Sequence, residues 1–207
     1  MSSEAAGEPY VRHPLGLPPG SVRSVLALMI AGLFALLAAM PEGREIPIPP
    51  FLYFLLALIL LFFGSHGHTI GRSVGDGRAP LGLPHGSVRA VILIGMAALL
   101  GWLYWTKPDQ FVERLTPDKE RLAEWPTLLI ASVGGFVAGY ILRLGPWRHT
   151  AGFQDTLATL SLLAMFGLVA ESIIVVFINP NVLGKLDLRA WEAVLTAVVA
   201  FYFGARS

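Results

Sequence analysis

The sequence contains no cysteine and few charged residues, and both shortages narrow the classes of protein to which it can belong. Without cysteine it cannot be a disulfide-stapled secreted scaffold. Charged residues make up only 14% of the 207 residues, whereas a typical soluble domain has about 25%. Intrinsic disorder is excluded, because disorder requires low hydrophobicity and high charge. A formal net charge of +1 gives no general attraction to nucleic acid, so no nucleic-acid partner is expected.

Long apolar runs are what the sequence has instead. Hydrophobic residues make up 55% of the chain, and about 20 apolar residues in a row allow a helix to cross a bilayer. Six runs are candidates: Val22–Met40, Ile48–Phe63, Val88–Trp105, Trp125–Leu142, Leu157–Ile178 and Leu188–Phe203. They lack the alternation of apolar and polar residues that is typical of membrane barrels. We therefore predict an all-α, polytopic transmembrane helical bundle of six spans.

An internal repeat organises these runs. Residues 14–25 and 80–91 are identical at ten of twelve positions, with an offset of 66 residues. Each copy is an elbow rich in Pro and Gly that leads into an apolar run, and a degenerate third copy begins at Pro146. We therefore predict three tandem helical hairpins with a 66-residue repeat, in one membrane domain. The predicted segments are 1–21 (N-terminal segment and first elbow), 22–79 (first hairpin with its connecting loop), 80–145 (second hairpin) and 146–207 (third hairpin).

Each elbow predicts a helix start. Ser21 and Ser87 can cap the helix, and the preceding prolines prevent it from beginning earlier. Arg23 and Arg89 then fall in the first turn, where a cation opposes the helix dipole, so another group is expected to hold each of them. Three explanations remain open: snorkelling to lipid phosphate, an ion pair with Asp155 of the third copy, and an anion or lipid-headgroup site where capped amides and the arginine converge on a phosphate.

Glu171 is an acidic residue well inside the fifth predicted span. An acid at such depth is a candidate functional residue, because burying a charge in the membrane is costly. Arg189 or Lys185, at the start of the next run, could reach it, and Glu192 could join them in an intramembrane ion pair. The first interpretation is a structural clamp between the last two helices. The second is a proton- or ion-binding site.

Small residues at helical spacing predict close packing of helices, because they let the backbones approach each other. Ala31 and Ala35 belong to such a stripe in the first run, and Gly135 and Gly139 form a GxxxG pattern in the fourth. Most of these contacts are expected inside the bundle, and one stripe remains available for self-association or for another subunit.

The sequence contains no recognisable catalytic or nucleotide-binding motif. The sequence lacks a phosphate-binding loop, a nucleophile elbow, an HExxH pattern and a dinucleotide fingerprint. His66 and His68 supply two ligands, whereas zinc sites need three or four. We therefore expect no enzyme activity, no cofactor and no metal site.

The expected function is that of a structural or accessory subunit, a scaffold, in a larger membrane assembly. Its expected partners are membrane lipids and other membrane subunits or further copies of the chain. The alternative is a small channel, holin-like pore or transporter that uses Glu171 in a polar path. We expect a multi-pass protein of the cell or inner membrane with both termini in the cytoplasm, because basic residues lie close to the span ends on that side.

Overall fold

A computed structural model describes residues 14–18, 20–40, 48–65, 81, 83–84, 86–117, 119–145, 150–178 and 188–206. These residues form seven α-helices and no strand, which confirms the predicted all-helical class. The helices are α1 (Ser21–Ala38), α2 (Pro50–Ser65), α3 (Ser87–Thr106), α4 (Pro108–Leu115), α5 (Trp125–Arg143), α6 (Ala151–Ile173) and α7 (Arg189–Arg206). Short 3-10 helices occupy Pro14–Gly16 and Lys119–Glu124, and a π-helical segment, Ile174–Ile178, continues α6.

Four of the helical segments are long and apolar enough to cross a membrane: Ser21–Ala38, Ser87–Thr106, Arg121–Arg143 and Gly152–Ile173. This is compatible with a membrane protein. The two other predicted spans coincide with α2 and α7. The apolar part of α2 is shorter, Pro50–Phe63, and α7 carries Arg189, Glu192 and Arg206. The number of six spans therefore stays a prediction.

The apolar core is built around α1 and α2. Of the α1 span, 61% is buried inside the bundle, whereas only 11% of the α3 span is buried. The largest fully buried apolar side chains come mainly from α1, α2, α6 and α7, with Leu103 as the contribution of α3: Phe51, Phe203, Leu26, Ile30, Leu52, Leu55, Ile59, Leu103, Met165, Leu168 and Val199. Ala31 lies in this core, and Ala35 is half-buried. The first helix is thus central, and α3 lies at the periphery.

The closest helix pair is α5 and α7, and glycines make this approach possible. Gly135 lies against the backbone of Ala197, and Gly139 lies against the backbone of Phe201. Gly204 of α7 fits against the backbone of α5 in the same manner. Because the obstacles are backbone atoms, no rotamer change would make room for a larger side chain at these positions.

Corresponding described residues of the two intact elbows have the same backbone conformation. Leu15 and Leu81 both have a φ of 57°. Gly20 and Gly86 precede α1 and α3 with φ of 79° and 83°, left-handed values that favour glycine. The prediction that α1 and α3 start at the elbows is confirmed. The caps differ from prediction, because these glycines occupy the N-cap position and no side chain caps either helix. The third elbow falls largely outside the described residues, so the 66-residue repeat stays a prediction.

Candidate functional site

Five ionisable side chains meet at the end of the bundle where α5 and α7 begin. They form what we call the charge cluster: Arg121, Glu124, Glu171, Arg189 and Glu192. Arg121 and Glu124 come from the 3-10 helix before α5, and Arg189 and Glu192 come from the first turn of α7. Glu171 lies in the last turn of α6. Three separate stretches of chain therefore supply the charges of one site.

Arg121 is the central cation of the charge cluster. Its Nη2 lies 2.6 Å from Oε2 of Glu192 and 2.7 Å from Oε2 of Glu124, and its Nε donates a hydrogen bond of 2.9 Å to Glu124. Only 3% of the Glu192 side chain is exposed. Removing one partner of such a buried pair leaves the other charge unpaired, which costs about 3–5 kcal/mol in soluble proteins. Arg121 thus ties the start of α5 to the start of α7.

Arg189 lies at the rim of the charge cluster. Its Nε is 3.1 Å from Oε1 of Glu124, and 67% of its side chain is exposed. Exposed ion pairs contribute little stability, typically about 0–1 kcal/mol. Arg189 is one of the two basic residues that could reach Glu171 by the sequence, and its described ion pair is with Glu124, the acid that immediately precedes α5. Lys185, the other expected partner, lies outside the described residues.

Glu171 lies at the inner side of the charge cluster and is only 6% exposed. Gly167, four residues before Glu171 in α6, lies against the side chain of Leu195, three residues after Glu192 in α7. Residues three or four apart share a helix face, so Glu171 and Glu192 lie on the facing sides of α6 and α7. Three buried oxygens in the described structure lack a hydrogen-bond partner: Oε2 of Glu171, Oε1 of Glu192 and Oγ1 of Thr196. Since Thr196 follows Glu192 by four residues in α7, the two side chains share one helix face. Unpartnered buried oxygens are costly and call for an explanation.

A cavity of about 220 Å³ opens beside the charge cluster. Its lining residues are Ala123, Glu124, Thr127, Leu128, Arg189, Ala190 and Glu192. Three members of the charge cluster, Glu124, Arg189 and Glu192, therefore line the cavity, whereas Glu171 does not.

The short helix α4 closes the same end of the bundle. Nη1 of Arg114 donates a hydrogen bond of 2.7 Å to the Met40 carbonyl and a longer one, 3.4 Å, to that of Ala38. A cation at the carbonyl end of a helix is favourable for the helix dipole. The hydroxyl of Tyr53 donates to the carbonyl of Leu115 at 3.3 Å. The helix α4 is thus fastened to the end of α1 and to α2.

The two elbow arginines lie at the opposite end, each over an aromatic ring of α2. The guanidinium carbon of Arg23 is 4.2 Å from the ring centroid of Phe62, and that of Arg89 is 5.8 Å from the ring of Phe63. Such cation–π contacts stabilise by about 0.5–2 kcal/mol. Nη1 of Arg23 also donates to the carbonyl of Arg206 at 3.4 Å, so the start of α1 and the end of α7 meet here. The neighbouring rings supply contacts that the sequence did not predict.

The elbow serines and Asp155 bond to elbow backbone. The amide of Leu81 donates to Oγ of Ser21 at 3.0 Å, and the amide of Leu15 donates to Oδ1 of Asp155 at 2.7 Å. Ser87, in contrast, donates to the carbonyl of Pro84 in its own elbow at 2.8 Å. Asp155 therefore accepts from the first elbow rather than pairing with Arg23 or Arg89 in the bonds described.

No family model, no curated protein and no solved structure matches this chain.

The partners Arg121 and Glu124 were missed by sequence reasoning. They lie in a loop with many charges of both signs, where nothing distinguishes them from solvated neighbours. The described residues contain no group of three or more His, Cys, Asp or Glu side chains placed to hold a metal ion. All five histidines lie outside the described part of the chain. The charge cluster therefore provides ion pairs that join the 3-10 helix before α5 to the start of α7, and it contains one acid of α6, Glu171, that forms no ion pair with the described residues.

Proposed function

We propose that this protein is a non-enzymatic structural or accessory subunit of a larger membrane assembly. The observation that carries the proposal is the separation of its polar groups. The charge cluster lies at one end, the arginines of the elbows lie at the other, and the buried side chains between them are mainly apolar, among them Ile30, Leu52 and Met165. A conducting or transporting protein needs polar groups along its path, and the described core does not provide them.

The buried hydroxyl groups support the same proposal. Ser132, Ser161 and Ser172 each donate to a carbonyl in the preceding turn of their own helix, at 3.1, 2.7 and 2.9 Å. Their hydrogen-bonding capacity is therefore directed at the backbone and not into a shared channel. The ion pairs of Arg121 then act as a clamp between helices.

The proposed arrangement in the membrane is six spans in three hairpins, with both termini in the cytoplasm. The hydrogen bond from Arg23 to Arg206 supports an even number of crossings, because it brings the start of α1 and the end of α7 to one end of the bundle. The peripheral α3 is the surface proposed for a neighbouring subunit. Its exposed apolar side chains include Ile94, which is 68% exposed, and Trp105, which is 87% exposed.

The decisive experiment is purification from native membranes in mild detergent, followed by native mass measurement. We expect the chain to copurify with other membrane proteins at fixed stoichiometry. A photo-crosslinking residue at Ile94 on α3 should give a discrete protein adduct, and the matched control is the same residue at Ile130 on α5, which is 71% exposed.

The second candidate function is a small channel or transporter. It is favoured by the unpartnered buried oxygens of Glu171, Glu192 and Thr196. A homo-oligomer that produces ion flux in liposomes would support it and would contradict the scaffold proposal.

A further inference from the structure

The charge cluster contains one more acid than it has bases, and the location of the excess is defined. Arg121 bonds to both Glu192 and Glu124, and Arg189 bonds to the other oxygen of Glu124. Glu171 forms no ion pair in the described structure. The bonds of Arg121 are directed at the two other acids. Among the described residues the charge cluster therefore has one positive charge too few, and the acid without a paired base is Glu171.

Glu171 is too deeply buried for solvent water to stabilise the uncompensated negative charge of its carboxylate. The residue is 6% exposed, its neighbour Glu192 is 2% exposed, and Thr196 beside them is fully buried. Two ionised carboxylates that face each other in such a place repel strongly, because the interior screens charge poorly. One proton shared between them converts the repulsion into a hydrogen bond, as in other paired carboxyl groups.

We propose that Glu171 and Glu192 form a proton-binding site that holds a single proton between their carboxyl groups. The proton replaces the missing charge and completes the clamp between α6 and α7. The unpartnered Oε2 of Glu171 and Oε1 of Glu192 are the two atoms available to it. The inference is independent of the function proposed above, since a scaffold and a transporter could both contain this site.

A proton fits the site better than a metal ion does. Calcium takes six to eight oxygen ligands, and magnesium takes six. The unpartnered buried oxygens in the described structure are three, and one of them is the neutral hydroxyl of Thr196. A proton needs only the two carboxyl oxygens, and it neutralises the single excess charge.

Infrared spectroscopy of the purified full-length protein tests the proposal, because a protonated carboxylic acid has a carbonyl-stretch band well separated from the carboxylate bands. We expect this band in the wild type at neutral pH. It should vanish in Glu171→Gln and in Glu192→Gln. It should persist in the control Glu113→Gln, because Glu113 is an exposed acid of α4.

Thermal melting gives a second readout. A proton held by the folded but not by the unfolded protein stabilises less as pH rises. The melting temperatures of the wild type and of Glu113→Gln should therefore fall between neutral and mildly alkaline buffer, and that of Glu171→Gln should fall by less. If Glu171→Gln fails to fold, the infrared spectra of the wild type and of Glu192→Gln still test the proposal.

Three results would overturn the proposal. The first is a wild-type spectrum without the acid band at neutral pH, and the second is a band that survives in both glutamine variants. The third is a melting temperature that depends on sodium or potassium, against choline at equal ionic strength, in a protein without the acid band. That last result would assign the site to a metal cation.

Discussion

The contact between α5 and α7 yields a sharp prediction, because the residue that makes it has a matched control close by. A Cβ added at Gly139 would lie 2.8 Å from the backbone nitrogen of Ala205 and 2.9 Å from the carbonyl carbon of Phe201. Ordinary contact between such atoms needs about 3.5 Å. In Gly139→Ala the two helices must therefore separate by about 1 Å. They cannot do so at one point alone, because Gly135, one turn earlier, and Gly204, against Phe136 and Tyr140, are in the same close backbone contact.

The magnitude follows from two opposing effects. Overpacking a close contact costs about 1–3 kcal/mol, and backbone obstacles place Gly139→Ala at the upper end. Replacing glycine by alanine in a helix returns about 1 kcal/mol. We therefore expect Gly139→Ala to lower the free energy of unfolding by about 2 kcal/mol.

Gly134→Ala is the control, because nothing lies within 4 Å of the Cβ that it adds. It receives the helix-propensity gain alone and should be neutral or more stable by about 1 kcal/mol. The assay is reversible denaturation in detergent micelles, followed by tryptophan fluorescence, on the wild type and both variants. Equal stability of Gly139→Ala and Gly134→Ala would refute the reasoning, since it would mean that the backbones of α5 and α7 do not touch.

Three further predictions concern the charge cluster, the elbows and the topology. Arg121→Gln leaves buried carboxylates without their cation and should destabilise by up to about 3–5 kcal/mol, measured in the same unfolding assay; a change below about 1 kcal/mol, the value of an exposed pair, would contradict a buried clamp. Gly86→Ala forces a side chain into a left-handed conformation and should cost about 1–2 kcal/mol, whereas Gly95→Ala, in mid-helix and in open space, should cost nothing. Cysteines introduced at Ser3 and Ser207 should both be shielded from an impermeant thiol reagent in intact cells; labelling of both would reverse the orientation, and labelling of one would exclude an even number of spans.

The sequence allowed the helices to be located, because local signals mark where they begin. The Pro/Gly elbows place the starts of α1 and α3 within one residue of the predicted Val22 and Val88, and the apolar runs account for the lengths of the six long helices. The start of α6 was placed six residues too late, at Leu157 instead of Ala151. The six residues before Leu157 include the polar Gln154, Asp155 and Thr156, and a hydropathy pattern does not extend a helix through them.

The partners in the candidate site could not be predicted, because they depend on contacts between distant parts of the chain. Arg121 and Glu192 are 71 residues apart, and several arginines and lysines of the same region were equally plausible partners for a buried acid. The GxxxG pattern likewise indicated that Gly135 and Gly139 pack closely, but not that their partner is α7. Spacing in a sequence identifies the face of a helix, whereas the fold decides which other helix covers it.

The hydrogen bonds of the elbows also set an order in time. The amide of Leu81 binds Ser21, 60 residues earlier in the chain, so this contact can form as soon as the second elbow has been made. The amide of Leu15 binds Asp155, 140 residues later. At a synthesis rate of about 5–20 residues per second, the ribosome needs on the order of ten seconds to deliver that partner. The two ends of the first elbow are therefore fastened at different times: Ser21, where α1 begins, can be held by the second elbow early, whereas Leu15 waits for Asp155 of α6.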